Sequence, residues 1–379
     1  MPVGRRVAIV VTLSLLMAAA IALAGQDAAR AREAHARAIE LDTQGNHPAA
    51  LSLLWEAAGL APRDADIQNR LGEALERIGA LDAAVAAYRL AVSERPAFRK
   101  ASNNLILVLV KAGQGKEAVA LARGLVAQAP DDPDRHFTLG LAQSEQDVTG
   151  AIESFRRVLA LAPRHALARY NLALVLKRTD RLQDALDELD RALAIEPRAE
   201  AYYTRGVIYW HQGDLERASA ALRAAVETEP RYAVAHYTLG VVLKGRRDWT
   251  GAAHSLRRAI ELGPDSPAHY SLGQVLEQAG DETGARTHFA EADRLRHRAE
   301  QEQQASMWTS VGTQKLDAGD LAGALDLFRK ATSVSDDYAP AFYQTGRTLK
   351  RLGQHDAARV AFARAQQLNP SLVPPRDLP

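Results

Sequence analysis

The chain is predicted to be all-α, an array of about ten helical hairpins, on three observations. An eight-residue segment recurs: "HFTLGLAQ" from His136, "RYNLALVL" from Arg169, "YYTRGVIY" from Tyr202, "HYTLGVVL" from His236, "HYSLGQVL" from His269 and "FYQTGRTL" from Phe342. Twelve residues after the small residue of each unit (eleven after Gly140) stands an alanine. The series is Ala50, Ala84, Ala118, Ala151, Ala185, Ala218, Ala252, Ala285, Ala324 and Ala358. Prolines close most units, at Pro62, Pro96, Pro130, Pro163, Pro197, Pro230, Pro264 and Pro370, with successive members from Pro62 to Pro264 spaced 33 or 34 residues apart.

The N-terminus precedes the array. Arg5 and Arg6 lead into eighteen mostly apolar residues, "VAIVVTLSLLMAAAIALA", and Ala22-Leu23-Ala24 is an A-x-A site of the kind signal peptidases cut after. The run is long for a signal core and slightly short of the ~20 residues of a spanning helix. Residues 1–24 are therefore expected to be a signal peptide or an N-terminal membrane anchor. Positive charge stays inside, so both readings put the remainder outside the cytoplasm. It is then periplasmic or secreted after cleavage near Ala24, or anchored in the inner membrane and facing the periplasm.

Each unit reads as a hairpin once the Gly of "LG" is numbered position 8. Large residues at 4, 7 and 11 with the small one at 8 make one helical stripe. Glycine near 15 (Gly45, Gly79, Gly113, Gly213, Gly280, Gly319, Gly353) breaks the first helix with a left-handed turn. The second helix carries small residues at 20 and usually 27 and a bulky one at 24, as in Ala185, Leu189 and Ala192. Proline at 32 ends it.

The period breaks once, because Gly273 to Gly312 is 39 residues. Between Ala285 and Val311 no proline or glycine interrupts "EADRLRHRAEQEQQASMW", which predicts one long fused helix. The expected organisation is repeats 1–8 over 25–297, a helical linker over 298–304, repeats 9–10 over 305–370 and a tail over 371–379. Leu372 and Val373 are candidates for a partial cap.

The pattern resembles the tetratricopeptide repeat, W-x2-L-G-x2-Y, then A-x3-F, then A and P. The resemblance runs from about Ala31 to Pro370 and is weakest in the first unit, where Arg37 and Ala38 replace "LG". It implies a superhelical solenoid that holds protein segments on its concave side.

Composition excludes other classes. The chain is 47% hydrophobic and 25% charged, enough for a core, and its net charge of +1 offers no excess for nucleic acid. It has no cysteine, which excludes disulfides, thiol catalysis, zinc–thiolate sites and a lipidated N-terminal cysteine. No phosphate-binding glycine loop, H-E-x-x-H or G-x-S-x-G occurs, so no enzyme, cofactor or catalytic residue is assigned. His136, His236 and His269 share position 4, one per repeat, and read as packing residues rather than metal ligands. "DDPD" at Asp131–Asp134 reads as helix capping rather than calcium ligation.

The candidate site lies on the other side of the first helix. Positions 5, 9 and 12 are the ones that, by resemblance, line the concave surface. Position 5 carries Phe137, Tyr170, Tyr203, Tyr237, Tyr270 and Tyr343. Position 9 carries Leu107, Leu141, Leu174, Val207 and Val241 before Gln274, Thr313 and Arg347. Trp210 joins at position 12. A helix apolar on both sides is buried on both or lines a binding surface, so Leu107, Phe137, Leu141, Tyr170, Leu174, Tyr203, Val207, Trp210, Tyr237, Val241 and Tyr270 are the expected groove. Lys177 and Arg178, then Lys244, Arg246 and Arg247, flank it at the helix turns, either as solvated turn residues or as a rim for acidic segments. Asn104 and Asn171 at position 6 do not reproduce the family's carboxylate clamp, because leucine fills position 9. The expected function is a non-enzymatic scaffold or adaptor for a protein partner in the cell envelope. The alternatives are a homo-oligomeric structural protein and an accessory subunit of an envelope secretion, pilus or polysaccharide complex.

Overall fold

The computed structural model describes residues 25–370 and Leu372. Among the described residues there are nineteen helices and no strand. The proposed leader over residues 1–24, and the tail apart from Leu372, lie outside the described residues.

The chain divides into two compact units, one ending at Glu196 and the other beginning at Pro197. In the first, five hairpins pair α1 (25–43) with α2 (His47–Leu60), α3 (Ala65–Arg77) with α4 (Leu81–Glu94), α5 (Arg99–Lys111) with α6 (Gly115–Gln128), α7 (Pro133–Gln143) with α8 (Val148–Leu161), and α9 (Ala166–Arg178) with α10 (Leu182–Ile195). In the second, α11 (Ala199–His211) pairs with α12 (Leu215–Thr228), and α13 (Ala233–Gly245) with α14 (Trp249–Leu262). There α15 (Ser266–Gln278) packs on the start of α16 (Glu282–Asp317), whose end packs on α17 (Leu321–Val334), and α18 (Ala339–Arg351) pairs with α19 (His355–Leu368). The expected fused helix is α16, 36 residues long, which serves two hairpins and contains 298–304 without a break.

Backbone chemistry sets the hairpin ends. Gly45, Gly79, Gly113, Gly213, Gly280, Gly319 and Gly353 all have φ between +74° and +86° at the turn, where a Cβ is disfavoured. Two turns use other residues in the same conformation, Asp180 at +59° and Arg247 at +60°. The fourth hairpin avoids the left-handed residue with a turn one residue shorter, and Asp147 there has φ −133°. Asp147, Asp214, Asp248, Asp281 and Asp320 each accept an N–H from three residues on, at 2.9 Å. Such caps stabilise a helix by about 1 kcal/mol. Asp132 of "DDPD" caps α7 through Asp134 N at 3.0 Å, while Asp131 holds Arg157 at 2.8 Å.

The small residue at position 8 faces the bulky one at 24. A Cβ on Gly140 would stand 2.7 Å from Phe155, on Gly240 2.6 Å from Leu256, and on Gly312 2.6 Å from Phe328. The third hairpin inverts the pair: Ile106 at position 8 is fully buried and position 24 is Ala122, not the bulky residue expected there. The sum of volumes is kept, as close packing requires.

Candidate functional site

Within each unit the first helices of neighbouring hairpins pack directly, α3 on α5, α5 on α7, α11 on α13, α13 on α15 and α16 on α18. Consecutive second helices show no comparable pairing among the described residues. These first helices therefore occupy the inner side of each unit and carry most of the expected groove residues.

Most of those residues are half-buried: Leu107, Phe137, Leu141, Tyr170 and Leu174 in the first unit, Tyr203, Tyr237 and Val241 in the second. Val207 departs from the expectation. Only 9% of it is exposed, so it packs within the fold and offers little contact area. Trp210 and Tyr270 are the open members, 38% and 49% exposed.

The position-5 rings also have a structural task. Phe137 lies 5.9 Å from Phe155, Tyr270 5.5 Å from Phe289 and Tyr343 5.4 Å from Phe362, each pair joining positions 5 and 24 of one hairpin. Phe137 also lies 5.0 Å from His165, and Tyr203 5.5 Å from Tyr232, both in the loop before the next hairpin. These rings support the hairpins on one side and stay half-buried or, for Tyr270, exposed on the other.

The basic rim is largely committed inside the chain. Arg178 donates to the Ser144 and Glu145 carbonyls and pairs with Glu145 at 3.3 Å. Arg246 holds Ser219 Oγ at 2.6 Å and pairs with Glu216, and Lys244 donates to Gln274 Oε1 at 2.8 Å. Lys177 and Arg247 have no ion pair among the described residues. Arg178 belongs to a recurrent latch in which position 13 reaches position 12 of the preceding hairpin. Arg77 reaches Asp42, Lys111 reaches Glu76 at 2.6 Å, and Arg351 reaches the Leu316 carbonyl at 2.6 Å. A cation there meets the carbonyl-rich end of a first helix.

Sequence reasoning missed two polar features. In α3 and α5, Asn104 Nδ2 donates to Asn69 Oδ1 at 3.1 Å, and Asn69 donates to Glu73 at 2.9 Å. Lys100 reaches the same carboxylate at 2.7 Å. Burial raises the pKa of Glu73, but Lys100, Asn69 and Arg70 outweigh it and hold the carboxyl below its ordinary value. The signal was glutamate at position 9, where the next hairpins carry leucine. The second feature is at position 4. Gln68, His136, Arg169 and His236 each reach the carbonyl of the proline that closes the preceding unit, at 2.9, 2.8, 2.8 and 3.1 Å. The histidines are thus packing residues with a hydrogen bond to make. His269 instead meets His288. Among the described residues no three His, Asp or Glu side chains are grouped to hold a metal, and no helix is long and apolar enough to cross a membrane.

Three family models described as tetratricopeptide repeat match this chain, one over 35–97, 178–233, 203–267 and 237–299, one over 142–205 and one over 339–372. A tetratricopeptide repeat protein from Parabacteroides merdae ATCC 43184 is similar in structure over 65% of this chain and 99% of its own, with 18% identity and a TM-score of 0.51. MamA from Desulfovibrio magneticus RS-1 covers 44% of this chain and 95% of its own, with 25% identity and a TM-score of 0.39. A thermophilic repeat protein of Thermus thermophilus covers 47% and 98%, with 24% identity and a TM-score of 0.42.

Proposed function

This chain belongs to the tetratricopeptide repeat family, and from that membership we propose that it is a non-enzymatic adaptor that grips a segment of a partner protein along its first helices. Family members are protein-interaction scaffolds, and the coarse role follows from the fold. The observation that carries the finer reading is the pair Trp210 and Tyr270, large apolar side chains left 38% and 49% exposed on the inner-side helices of one unit. On α13, between α11 and α15, positions 5 and 9 carry half-buried Tyr237 and Val241. Aromatic anchors with part of their surface fixed by packing supply binding energy with little loss of side-chain freedom.

Leu107, Phe137, Leu141, Tyr170 and Leu174 form the corresponding surface of the first unit. Lys177 and Arg247 are the remaining cations for steering acidic segments. The place of action proposed is the cell envelope, on the strength of Arg5, Arg6 and the apolar run that follows.

Photo-crosslinking in cells tests the reading. A photoreactive residue at Trp210 or Tyr270 should trap one discrete protein, and the same residue at Val360 on α19, 72% exposed, should not. Equal labelling from all three positions, or none from the first two, overturns it.

A further inference from the structure

Among the described residues, the long helix α16 leaves one face of the array without a neighbour. In a hairpin that follows another, positions 3, 7 and 10 of the first helix turn toward the preceding hairpin. They are Ala168, Leu172 and Val175 in α9, Ala235, Leu239 and Val242 in α13, and Ala268, Leu272 and Val275 in α15, all buried. The preceding second helix covers them, α14 on α15 for example, with Ala253 at position 21 and Ile260 at 28 in the same apolar cluster.

Where such a neighbour is lacking, the chain usually writes polar residues at these positions. The first described helix has exposed Glu33, Arg37 and Glu40. The outer face of α19 has exposed Arg359 and Gln366 at 21 and 28, and the first half of α16 has exposed Arg286 and Asp293 there. The second half of α16 is the exception. Its positions 3, 7 and 10 are Met307, Val311 and Gln314, and the first two are 55% and 42% exposed. The helices packed on α16 are α15, α17 and α18. No preceding second helix covers this face, because α16 is itself that helix. Its buried line has moved to Ala305, Thr309, Gly312 and Leu316.

We propose that this face is where a second copy of the chain docks, with the two α16 helices antiparallel across a two-fold axis. Elsewhere in the array the helix covering these positions runs antiparallel to the one it covers, and a two-fold imposes the same relation. The second helices with no hairpin packed after them are unsuited as occupants, since their outer positions are Arg286, Asp293, Arg359 and Gln366. The face is complementary to itself. With the axis midway between Met307 and Val311, Met307 of one copy meets Val311 of the other, and Gln304 meets Gln314. Glu300 comes within about one helical turn of Lys315, which holds Asp320 at 2.7 Å in its own chain and keeps nearly half of its side chain exposed for a second carboxylate. Gln303, Gln304, Met307, Val311 and Gln314 are all exposed. So small an apolar patch supports a weak dimer, with a dissociation constant roughly micromolar or above. These positions differ from 5, 9 and 12, so the dimer and the partner groove stand or fall separately.

The absence of cysteine makes the test direct. The full chain carrying Gln304→Cys together with Gln314→Cys, oxidised in cells, should give a disulfide-linked species of doubled mass. Either cysteine alone, or Val360→Cys, should not. Adding Val311→Asp should reduce the linked species by about tenfold, the effect of ~1.4 kcal/mol, with helicity by circular dichroism unchanged. A double-cysteine chain that links no better than the Val360→Cys control overturns the proposal. Linkage to a different protein, or linkage unaffected by Val311→Asp, overturns it as well.

Discussion

His269 on α15 and His288 on α16 meet Nδ1 to Nδ1 at 3.0 Å, so one ring must donate and the other accept. A proton on one side of the contact satisfies it; protons on both Nδ1 atoms set donor against donor and break it. Burial, then the neighbouring His269, holds the His288 pKa below its ordinary value of 6.5. Arg257 adds to this, and Asp281 and Glu291 oppose it. His236 is lowered too, chiefly by burial, with Arg258 and His254 adding to the effect and the Pro230 carbonyl opposing it.

Stability should therefore fall on acidification. A histidine with a depressed native pKa binds fewer protons folded than unfolded, so its contribution is fully present above 6.5 and is lost as pH falls toward the native value. The melting temperature should drop between pH 7.5 and 5, and His236→Gln with His288→Gln should flatten that slope. An unaltered slope in the double variant refutes the assignment.

Turn geometry gives an opposite kind of change. Asp180 and Arg247 occupy the left-handed conformation that seven glycines adopt elsewhere. Asp180→Gly and Arg247→Gly should each stabilise the chain by about 0.5–1 kcal/mol, read as a shift of the urea midpoint without a change in slope.

Core complementarity predicts a rescue. Gly240→Ile alone should cost several kcal/mol, since even a Cβ would stand 2.6 Å from Leu256. Gly240→Ile with Leu256→Ala reproduces the Ile106 and Ala122 arrangement and should recover most of the loss in chemical denaturation.

At the candidate groove, burial separates folding from binding. With the photoreactive residue moved to Tyr237, Tyr270→Ala together with Trp210→Ala should abolish trapping of the partner and lower the melting temperature only modestly, since each ring is more than a third exposed. Val207→Asp should instead destabilise the second unit by roughly 3 kcal/mol or more. A Tyr270→Ala chain that melts as low as the Val207→Asp chain argues that the ring is scaffold alone.

The hairpins were legible because their determinants are local and periodic. Glycine at the turn, alanine at position 20 and proline at 32 each act through their own backbone, so spacing alone exposes them. Even the fused helix announced itself by five extra residues without glycine or proline. What spacing did not expose depends on partners 19 to 35 residues away. Val207 and Leu174 occupy the same position 9, yet the first is buried and the second half-buried. Arg178 reads as a surface charge until Ser144 and Glu145 of the previous turn come within reach of it. Helical periodicity names a face; the neighbour decides how much of that face remains.

The exchange of volume between Ile106 and Ala122 bears on how such an array can change over generations. Repeats that look alike on paper invite recombination, and a crossover between two turns joins the first helix of one hairpin to the second helix of another. Between most hairpins here the hybrid would inherit glycine opposite a large residue and fold. A crossover that split the third hairpin would put isoleucine against phenylalanine in one product and glycine against alanine in the other, a collision and a hollow. That hairpin travels whole or not at all, which gives an otherwise modular chain one indivisible unit of inheritance.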